Sequence, residues 1–157
     1  MILVGASQIK RPIAPPDSTP GPAVVVLLRD RCPCVTECRS MLNALAEACR
    51  GRIRFVGLVD AEPARSTAFA KEAGLHFPLI PDPRSTAIRR LKGRAALDLR
   101  LVGDRGILVG GWHGLSRSNV AALVDAVRRE TGQDVSLSLA PFTELTKFGC
   151  DFSMRSR

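Results

Sequence analysis

The chain has 157 residues, 45% of them hydrophobic and 24% charged, which is enough apolar material to fill the core of a single globular domain. Its formal net charge of +8 favours an acidic partner, but tyrosine is absent and the arginines are not interleaved with aromatic residues, so we expect no nucleic-acid binding. No apolar run approaches the roughly 20 residues that cross a bilayer and no export signal is recognisable, so we expect a cytoplasmic protein without a membrane span.

Residues 1–22 contain five prolines, at positions 12, 15, 16, 20 and 22. Because proline lacks a backbone N–H and fixes φ, this segment is predicted to be a proline-rich arm without a regular helix or central strand. We expect a globular domain over residues 23–131 and a C-terminal tail over residues 132–157. The arm and the tail are the candidate contacts with a protein partner, either an acidic surface or a larger complex.

The first half of the predicted domain alternates strand and helix. Residues Ala23 to Leu28 form a continuous apolar run, which is typical of a strand buried on both faces. A helix is predicted over 35–50, because apolar residues recur there every three or four positions, and a second buried strand is predicted over 53–59. Pro63 and Gly74 then mark the beginning and the end of a second helix.

The second half is predicted to contain an extended segment, a short helix, an antiparallel hairpin and a final helix, over residues 77–80, 85–91, 97–112 and 118–131. In the first hairpin strand, Leu97, Leu99 and Leu101 alternate with polar residues, which places Asp98 on the polar face. Two strand-helix crossovers followed by a hairpin and a helix predict an α/β protein with a mixed sheet and helices on both faces.

Three of the five cysteines, Cys32, Cys34 and Cys38, lie between the first strand and the body of the helix that follows. A helix N-terminus carries roughly half a positive charge, which stabilises a thiolate and lowers a cysteine pKa below its usual value of about 8.5. Cys38 and Cys49 fall on the apolar stripe of the helix and are predicted to be core residues. In a chain expected to be cytoplasmic, the five cysteines together indicate reduced, reactive or metal-bound thiols rather than a disulfide scaffold.

Several segments carry a family likeness: Val24–Leu28 leading to Cys32-Pro33, Ile53–Val59, Phe77–Pro83, the hairpin through Gly106, and the tail sequence Phe148–Phe152. In these segments the chain resembles the redoxin branch of the thioredoxin-like superfamily, which includes alkyl hydroperoxide reductases and thiol-specific antioxidant proteins. The resemblance implies a thioredoxin-like three-layer α/β/α sandwich with a mixed central sheet. It also implies that Cys32 holds the nucleophilic thiol.

The function implied by this resemblance is that of a thiol-dependent redox protein, either a thiol-disulfide oxidoreductase or a peroxiredoxin-like enzyme. Cys32 is the candidate nucleophile, Cys34 and Cys150 are the candidate resolving thiols, and no cofactor is expected. Cys150 follows the last predicted helix by roughly 19 residues, and an extended chain of that length spans on the order of 60 Å. The tail is therefore long enough to bring Cys150 to Cys32, where it could condense with a sulfenic acid.

Two alternatives stay open, and with them the question whether the chain is an enzyme. Val35 stands where a CxxC motif would have its second cysteine, and Ala95-Ala96-Leu97 stands where the family has a cis-proline. These departures favour a catalytically degenerate thioredoxin-like domain that serves as an accessory or interaction subunit of a larger complex. The other alternative is a site for a soft metal ion such as Zn²⁺ or Cu(I), whose ligands would be Cys32, Cys34 and Cys38 with His113 or Cys150.

Overall fold

A computed structural model describes residues 21–153, so the predicted N-terminal arm, apart from its last two residues, and residues 154–157 lie outside the described part of the chain. Within this range the chain forms five strands and five helices. In chain order they are β1 (Ala23–Leu28), α1 (Pro33–Glu37), α2 (Arg39–Cys49), β2 (Arg54–Val59), α3 (Pro63–Glu72), β3 (Leu79–Pro81), α4 (Thr86–Arg90), β4 (Leu99–Val102), β5 (Leu108–Trp112) and α5 (Arg117–Thr131). None of these helices is both long and apolar enough to span a membrane.

The strands form one mixed sheet with the order β3-β2-β1-β4-β5. β1 pairs in parallel with β2, with Val24 opposite Phe55, and β2 pairs in parallel with β3. The other half of the sheet is antiparallel, since β1 pairs with β4 and β4 pairs with β5. Helices connect the parallel pairs and a short hairpin connects β4 to β5, which confirms the mixed sheet predicted from the sequence.

β1 is the central strand and is buried on both faces. Because successive side chains of a strand point to opposite sides of the sheet, β1 contributes to two hydrophobic layers. Val24 and Val26 pack in the layer that also contains residues of α2 and α5. Val25 and Leu27 pack in the opposite layer, with Ile88 of α4. The result is the three-layer α/β/α arrangement predicted from the sequence.

The helix predicted over residues 35–50 forms as two helices that begin earlier. α1 begins at Pro33, since the fixed φ and the missing N–H of proline suit the first position of a helix. The two helices meet at Cys38, whose φ of −93° and ψ of 5° depart from helical values. The backbone hydrogen bonds from Cys38 to Cys34 and from Leu42 to Cys38, both 3.0 Å, continue across the junction. The apolar stripe of the predicted helix is therefore retained.

The prediction that Asp98 lies on the polar face of a strand is wrong. β4 begins at Leu99, and Leu97 has a left-handed backbone with a φ of +74°, so the two-residue alternation does not extend back through Leu97. Asp98 is 0% exposed and Arg100 is also buried. Hydrogen bonds within the protein, rather than solvent, satisfy both charged side chains.

Leu42→Ala is expected to lower the free energy of unfolding by about 2–5 kcal/mol, because truncation of this fully buried side chain leaves a cavity in the core. Leu145→Ala makes the same chemical change at a residue that is 81% exposed, and we expect it to change stability by less than about 0.5 kcal/mol. Urea denaturation followed by circular dichroism measures both variants. Equal losses would contradict the assignment of Leu42 to the core.

Candidate functional site

Cys32 lies at the junction between β1 and α1. After β1 ends, Arg31 adopts a left-handed conformation with a φ of +60°, and Cys32 then follows as the extended residue that precedes the first helical turn. Pro33 occupies the first position of α1. Cys32 is only 2% exposed. The turn therefore holds a buried thiol against the beginning of a helix.

The sulfur of Cys32 is surrounded by hydrogen-bond donors. The backbone N–H of Cys150 donates to Sγ at 3.2 Å, and the Cys150 thiol donates to the same atom. The backbone N–H groups of Cys34 and Val35, in the first turn of α1, also favour the thiolate, and the Val35 N–H donates to the backbone O of Cys32 at 3.1 Å. Burial raises the pKa of Cys32, but these hydrogen bonds favour the thiolate and outweigh burial, so the pKa lies below its ordinary value.

The pKa values of the two neighbouring thiols, Cys34 and Cys150, are shifted in the opposite direction. Burial, followed by the charge of Cys32 and a hydrogen bond to it, raises the pKa of Cys34. The hydrogen bond that the Cys150 thiol donates to Cys32, together with burial, raises the pKa of Cys150 to about 11. The site therefore favours one thiolate, on Cys32, beside two protonated thiols.

The tail packs against the domain before it reaches Cys32. The side chain of Phe142 is buried in the hydrophobic layer that contains α2 and α5. Further along, Lys147 and Leu115 exchange backbone hydrogen bonds of 2.7 and 2.8 Å in an antiparallel bridge. These two anchors fix the path of the chain as it approaches Cys150.

Residues 149–152, which we call the tail strand, lie antiparallel to residues 94–96. The N–H of Gly149 donates to the backbone O of Ala96 at 3.0 Å, and the N–H of Ala96 donates to the backbone O of Cys150 at 2.9 Å. The pairing holds the tail strand in a defined register. It thereby directs a thiol from the end of the chain to the junction of β1 and α1.

The buried carboxylate of Asp98 organises the surfaces that the tail contacts. One carboxylate oxygen accepts a hydrogen bond from the backbone N–H of Arg94 at 2.9 Å. The other accepts one from the backbone N–H of Gly114 at 3.1 Å and is hydrogen-bonded to His113 Nδ1 at 2.6 Å. One side chain therefore joins the loop before β4, which pairs with the tail strand, to the turn after β5.

The turn after β5 forms the second contact surface for the tail. The ring of His113 packs against that of Phe148 at an interplanar angle of 36°, with the ring centroids 4.6 Å apart. Gly114 has a φ of +83°, and a Cβ built on it would lie 2.5 Å from Thr146 Cγ2 and 2.8 Å from Phe148 Cδ1. This position therefore requires glycine both for its backbone conformation and for the close approach of the tail.

The remaining cysteines, Cys38 and Cys49, are buried in the core, as predicted. Burial raises the pKa of both thiols, that of Cys49 to about 12. Among residues 21–153, no group of three or more histidine, cysteine, aspartate or glutamate side chains has a geometry that could hold a metal ion. The metal-site alternative therefore gains no support from the described residues.

The structure brings together Cys32, Cys34 and Cys150, the cysteines singled out as candidate catalytic residues. His113, a candidate metal ligand, is instead hydrogen-bonded to Asp98. The role of Asp98 is not predictable from the sequence, because its position among alternating leucines predicts burial of those leucines rather than of the acid. The peptide bonds of the described residues, including those of the segment in the cis-proline position, are all trans.

Several solved structures are similar to this chain, including the following three. An uncharacterized conserved protein from Geobacillus kaustophilus has a TM-score of 0.60 and 18% identity, covering 87% of this chain and 79% of its own. The bacterioferritin comigratory protein of Xanthomonas campestris, described for alkyl peroxide reduction activity, has a TM-score of 0.57 and 17% identity, covering 70% and 80%. A secreted disulfide oxidoreductase of Mycobacterium tuberculosis has a TM-score of 0.52 and 18% identity, covering 69% and 81%.

The chain matches no protein-family model and no curated protein sequence. The structural likenesses nevertheless confirm the predicted thioredoxin-like fold. At identities of this size a likeness shows the fold alone, because one fold hosts many activities. Any specific function of this chain must therefore be inferred from the geometry of its three neighbouring thiols.

Asp98→Ala is expected to lower the free energy of unfolding by about 3 kcal/mol or more, because it leaves the buried guanidinium of Arg100 without its carboxylate partner. Asp134→Ala is the control, since it removes the carboxylate of an exposed pair with Arg128 and should have little effect. Urea denaturation of both variants gives the comparison. A loss for Asp98→Ala no larger than that for Asp134→Ala would show that the buried carboxylate does not organise this region.

Cys150→Ala is expected to raise the pKa of Cys32, because it removes the thiol that donates a hydrogen bond to the Cys32 thiolate. The pH dependence of Cys32 alkylation by iodoacetamide, followed by mass spectrometry of peptides, measures this pKa. The midpoint in the unmodified protein should lie below that of an ordinary thiol and should move upward in the variant. Cys49→Ala, in which a buried core thiol is removed, should leave the midpoint unchanged.

Proposed function

We propose that this thioredoxin-fold chain is a thiol-dependent redox protein in which Cys32 is the attacking thiol and Cys150 is the resolving thiol. The observation that carries the proposal is the contact between them: the N–H and the thiol of Cys150 both donate hydrogen bonds to Cys32 Sγ. A lowered pKa increases the fraction of Cys32 present as thiolate, which is the reactive form. The Cys150 thiol is hydrogen-bonded to the Cys32 sulfur, so it can complete a disulfide.

The reaction begins when the Cys32 thiolate attacks one sulfur of a substrate disulfide. The substrate S–S bond breaks, a mixed disulfide with Cys32 forms, and the other substrate sulfur leaves as a thiolate that takes up a proton. Cys150 then loses its proton and attacks Cys32 Sγ, which releases the second substrate thiol. The substrate disulfide has been reduced to two thiols, and Cys32 and Cys150 have been oxidised to one disulfide.

Cys150 is a better resolving thiol than Cys34 on geometric grounds. Cys34 follows Cys32 by only two residues, so a disulfide between them would close a small and strained ring. Cys150 approaches from a separate segment, with its backbone already held against Cys32 Sγ. In this proposal Cys34 acts as a hydrogen-bond donor to Cys32 rather than as its disulfide partner.

The peroxiredoxin-like activity considered from the sequence uses the same two residues. A peroxide would oxidise the Cys32 thiolate to a sulfenic acid and leave as water or an alcohol, and the Cys150 thiol would condense with the sulfenic acid to release water. The product is again a disulfide between Cys32 and Cys150. We favour disulfide exchange, because thiols and backbone amides surround the Cys32 sulfur, and these groups stabilise a thiolate both as nucleophile and as leaving group.

Treatment of the reduced protein with a small disulfide is expected to produce an intramolecular disulfide between Cys32 and Cys150, detected by peptide mapping without reduction. Cys32→Ser and Cys150→Ser should each abolish it, because each removes one of the two sulfurs. Cys34→Ser and Cys49→Ser should both retain it. Parallel treatment with hydrogen peroxide reports whether the peroxidase-like route reaches the same product.

A Cys32–Cys34 disulfide would contradict the assignment of Cys150 as the resolving thiol. The absence of any disulfide at Cys32, with both oxidants, would overturn the redox proposal. That second result would favour the alternative predicted from the sequence, a catalytically degenerate accessory subunit.

A further inference from the structure

The tail strand pairs with residues 94–96 through backbone atoms. Three hydrogen bonds between 2.9 and 3.1 Å join the two segments, and they link Gly149, Cys150 and Phe152 to Ala96 and Arg94. Backbone hydrogen bonds do not depend on side-chain identity, so an extended segment of another protein can form the same bonds. Residues 94–96 are therefore a strand-pairing site that is filled by the chain's own tail.

The tail strand also covers the sulfur that must react. The backbone N–H of Cys150 is 3.2 Å from Cys32 Sγ, and Cys32 is almost completely buried, whereas Cys34 and Cys150 are partly exposed. A reactant as large as a polypeptide cannot contact Cys32 Sγ while the tail strand is in place. A polypeptide substrate must therefore replace the tail strand.

The position before the cysteine accepts only glycine. A Cβ built on Gly149 would lie 2.5 Å from Ala96 Cβ, 2.7 Å from Ala96 O and 2.9 Å from Ala96 C. Two of these three atoms belong to the backbone, which cannot move aside as a flexible side chain can. The O atom is also the acceptor for the Gly149 N–H, so the close approach is part of the pairing. Any strand that takes this register meets the same obstacle.

We propose that the polypeptide substrate of Cys32 is an extended segment in which glycine directly precedes the reactive cysteine, and that it binds by replacing the tail strand on residues 94–96. This inference rests on the proposed function, since it names the substrate of the same thiol. The tail strand itself contains a Gly-Cys pair, Gly149-Cys150, and it therefore competes with such a substrate for residues 94–96. Ala96 is the specificity-determining residue.

Thiol-disulfide exchange with such a substrate would proceed in two steps. The substrate segment displaces the tail strand and presents a disulfide sulfur to the Cys32 thiolate. A bond forms between Cys32 Sγ and the sulfur of the Gly-Cys pair, and the other substrate sulfur leaves as a thiolate that takes up a proton. The tail strand then returns, its Cys150 thiolate attacks Cys32 Sγ after giving up its proton, and the substrate segment leaves as a thiol.

The test uses the full chain with Cys150→Ser, which keeps the tail strand but prevents resolution. The probe is a synthetic peptide with the sequence of residues 147–152, Lys-Phe-Gly-Cys-Asp-Phe, whose cysteine carries a thionitrobenzoate leaving group. The matched probe has alanine in place of glycine. We expect the glycine peptide to form a mixed disulfide with Cys32 about tenfold faster or more, measured by thionitrobenzoate release. Equal rates for the two peptides would overturn the inference.

A second variant tests the competition by the tail. Gly149→Val, combined with Cys150→Ser, should displace the tail strand because of the contact with Ala96, and should accelerate the reaction with the glycine peptide. Leu145→Ala in the same Cys150→Ser background changes an exposed tail residue and should leave the rate unchanged. An unaltered rate in the Gly149→Val variant would show that the tail does not compete.

A small activated disulfide separates the two proposals. If Cys32 reacts with 5,5′-dithiobis(2-nitrobenzoate) but does not distinguish the peptides, the substrate inference fails and the proposed redox function stands. If Cys32 reacts with neither the small reagent nor the peptides, the proposed function fails and the inference fails with it.

Discussion

Asp98 places a carboxylate in the interior of the protein, where an unpaired charge would be costly. Its partners include the backbone N–H of Arg94, in the loop before β4, and that of Gly114, in the turn after β5. Because these groups come from the two segments that flank the β4–β5 hairpin, satisfying one carboxylate fixes the position of both segments. The tail packs against both segments, so the placement of Cys150 on Cys32 depends on this buried carboxylate.

The same hydrogen bonds that hold the tail strand also divide the roles among the thiols. Cys32 accepts from backbone and thiol donors and is favoured as the thiolate, whereas Cys150 is itself a donor and stays protonated. Hydrogen bonds to a charged acceptor are stronger than those to a neutral one. In the proposed reaction Cys32 loses its charge when it enters a mixed disulfide, so its hydrogen bonds with Cys150 weaken. The tail strand is then held less strongly at the stage of the reaction in which a substrate occupies the site.

The arrangement differs from a CxxC site in the origin of its second thiol. Val35 occupies the position that would supply that thiol from the helix, and the partner of Cys32 comes instead from a residue 118 positions later in the chain. Ala96, in the segment that the family resemblance aligns with a cis-proline, has trans peptide bonds and pairs with the tail strand through its backbone. The fold is thus shared with proteins of 17–18% identity.

The sequence by itself determined the parts of the molecule whose signals are local. The apolar run of β1, the proline at the beginning of α3 and the cysteine after the first strand predicted the sheet, the helices and the position of Cys32. Tertiary structure alone decided that Asp98 is buried, that the residue before Cys150 must be glycine, and that Cys150 lies on Cys32. Each of these depends on atoms from segments distant in sequence, and residue periodicity contains no information about such contacts.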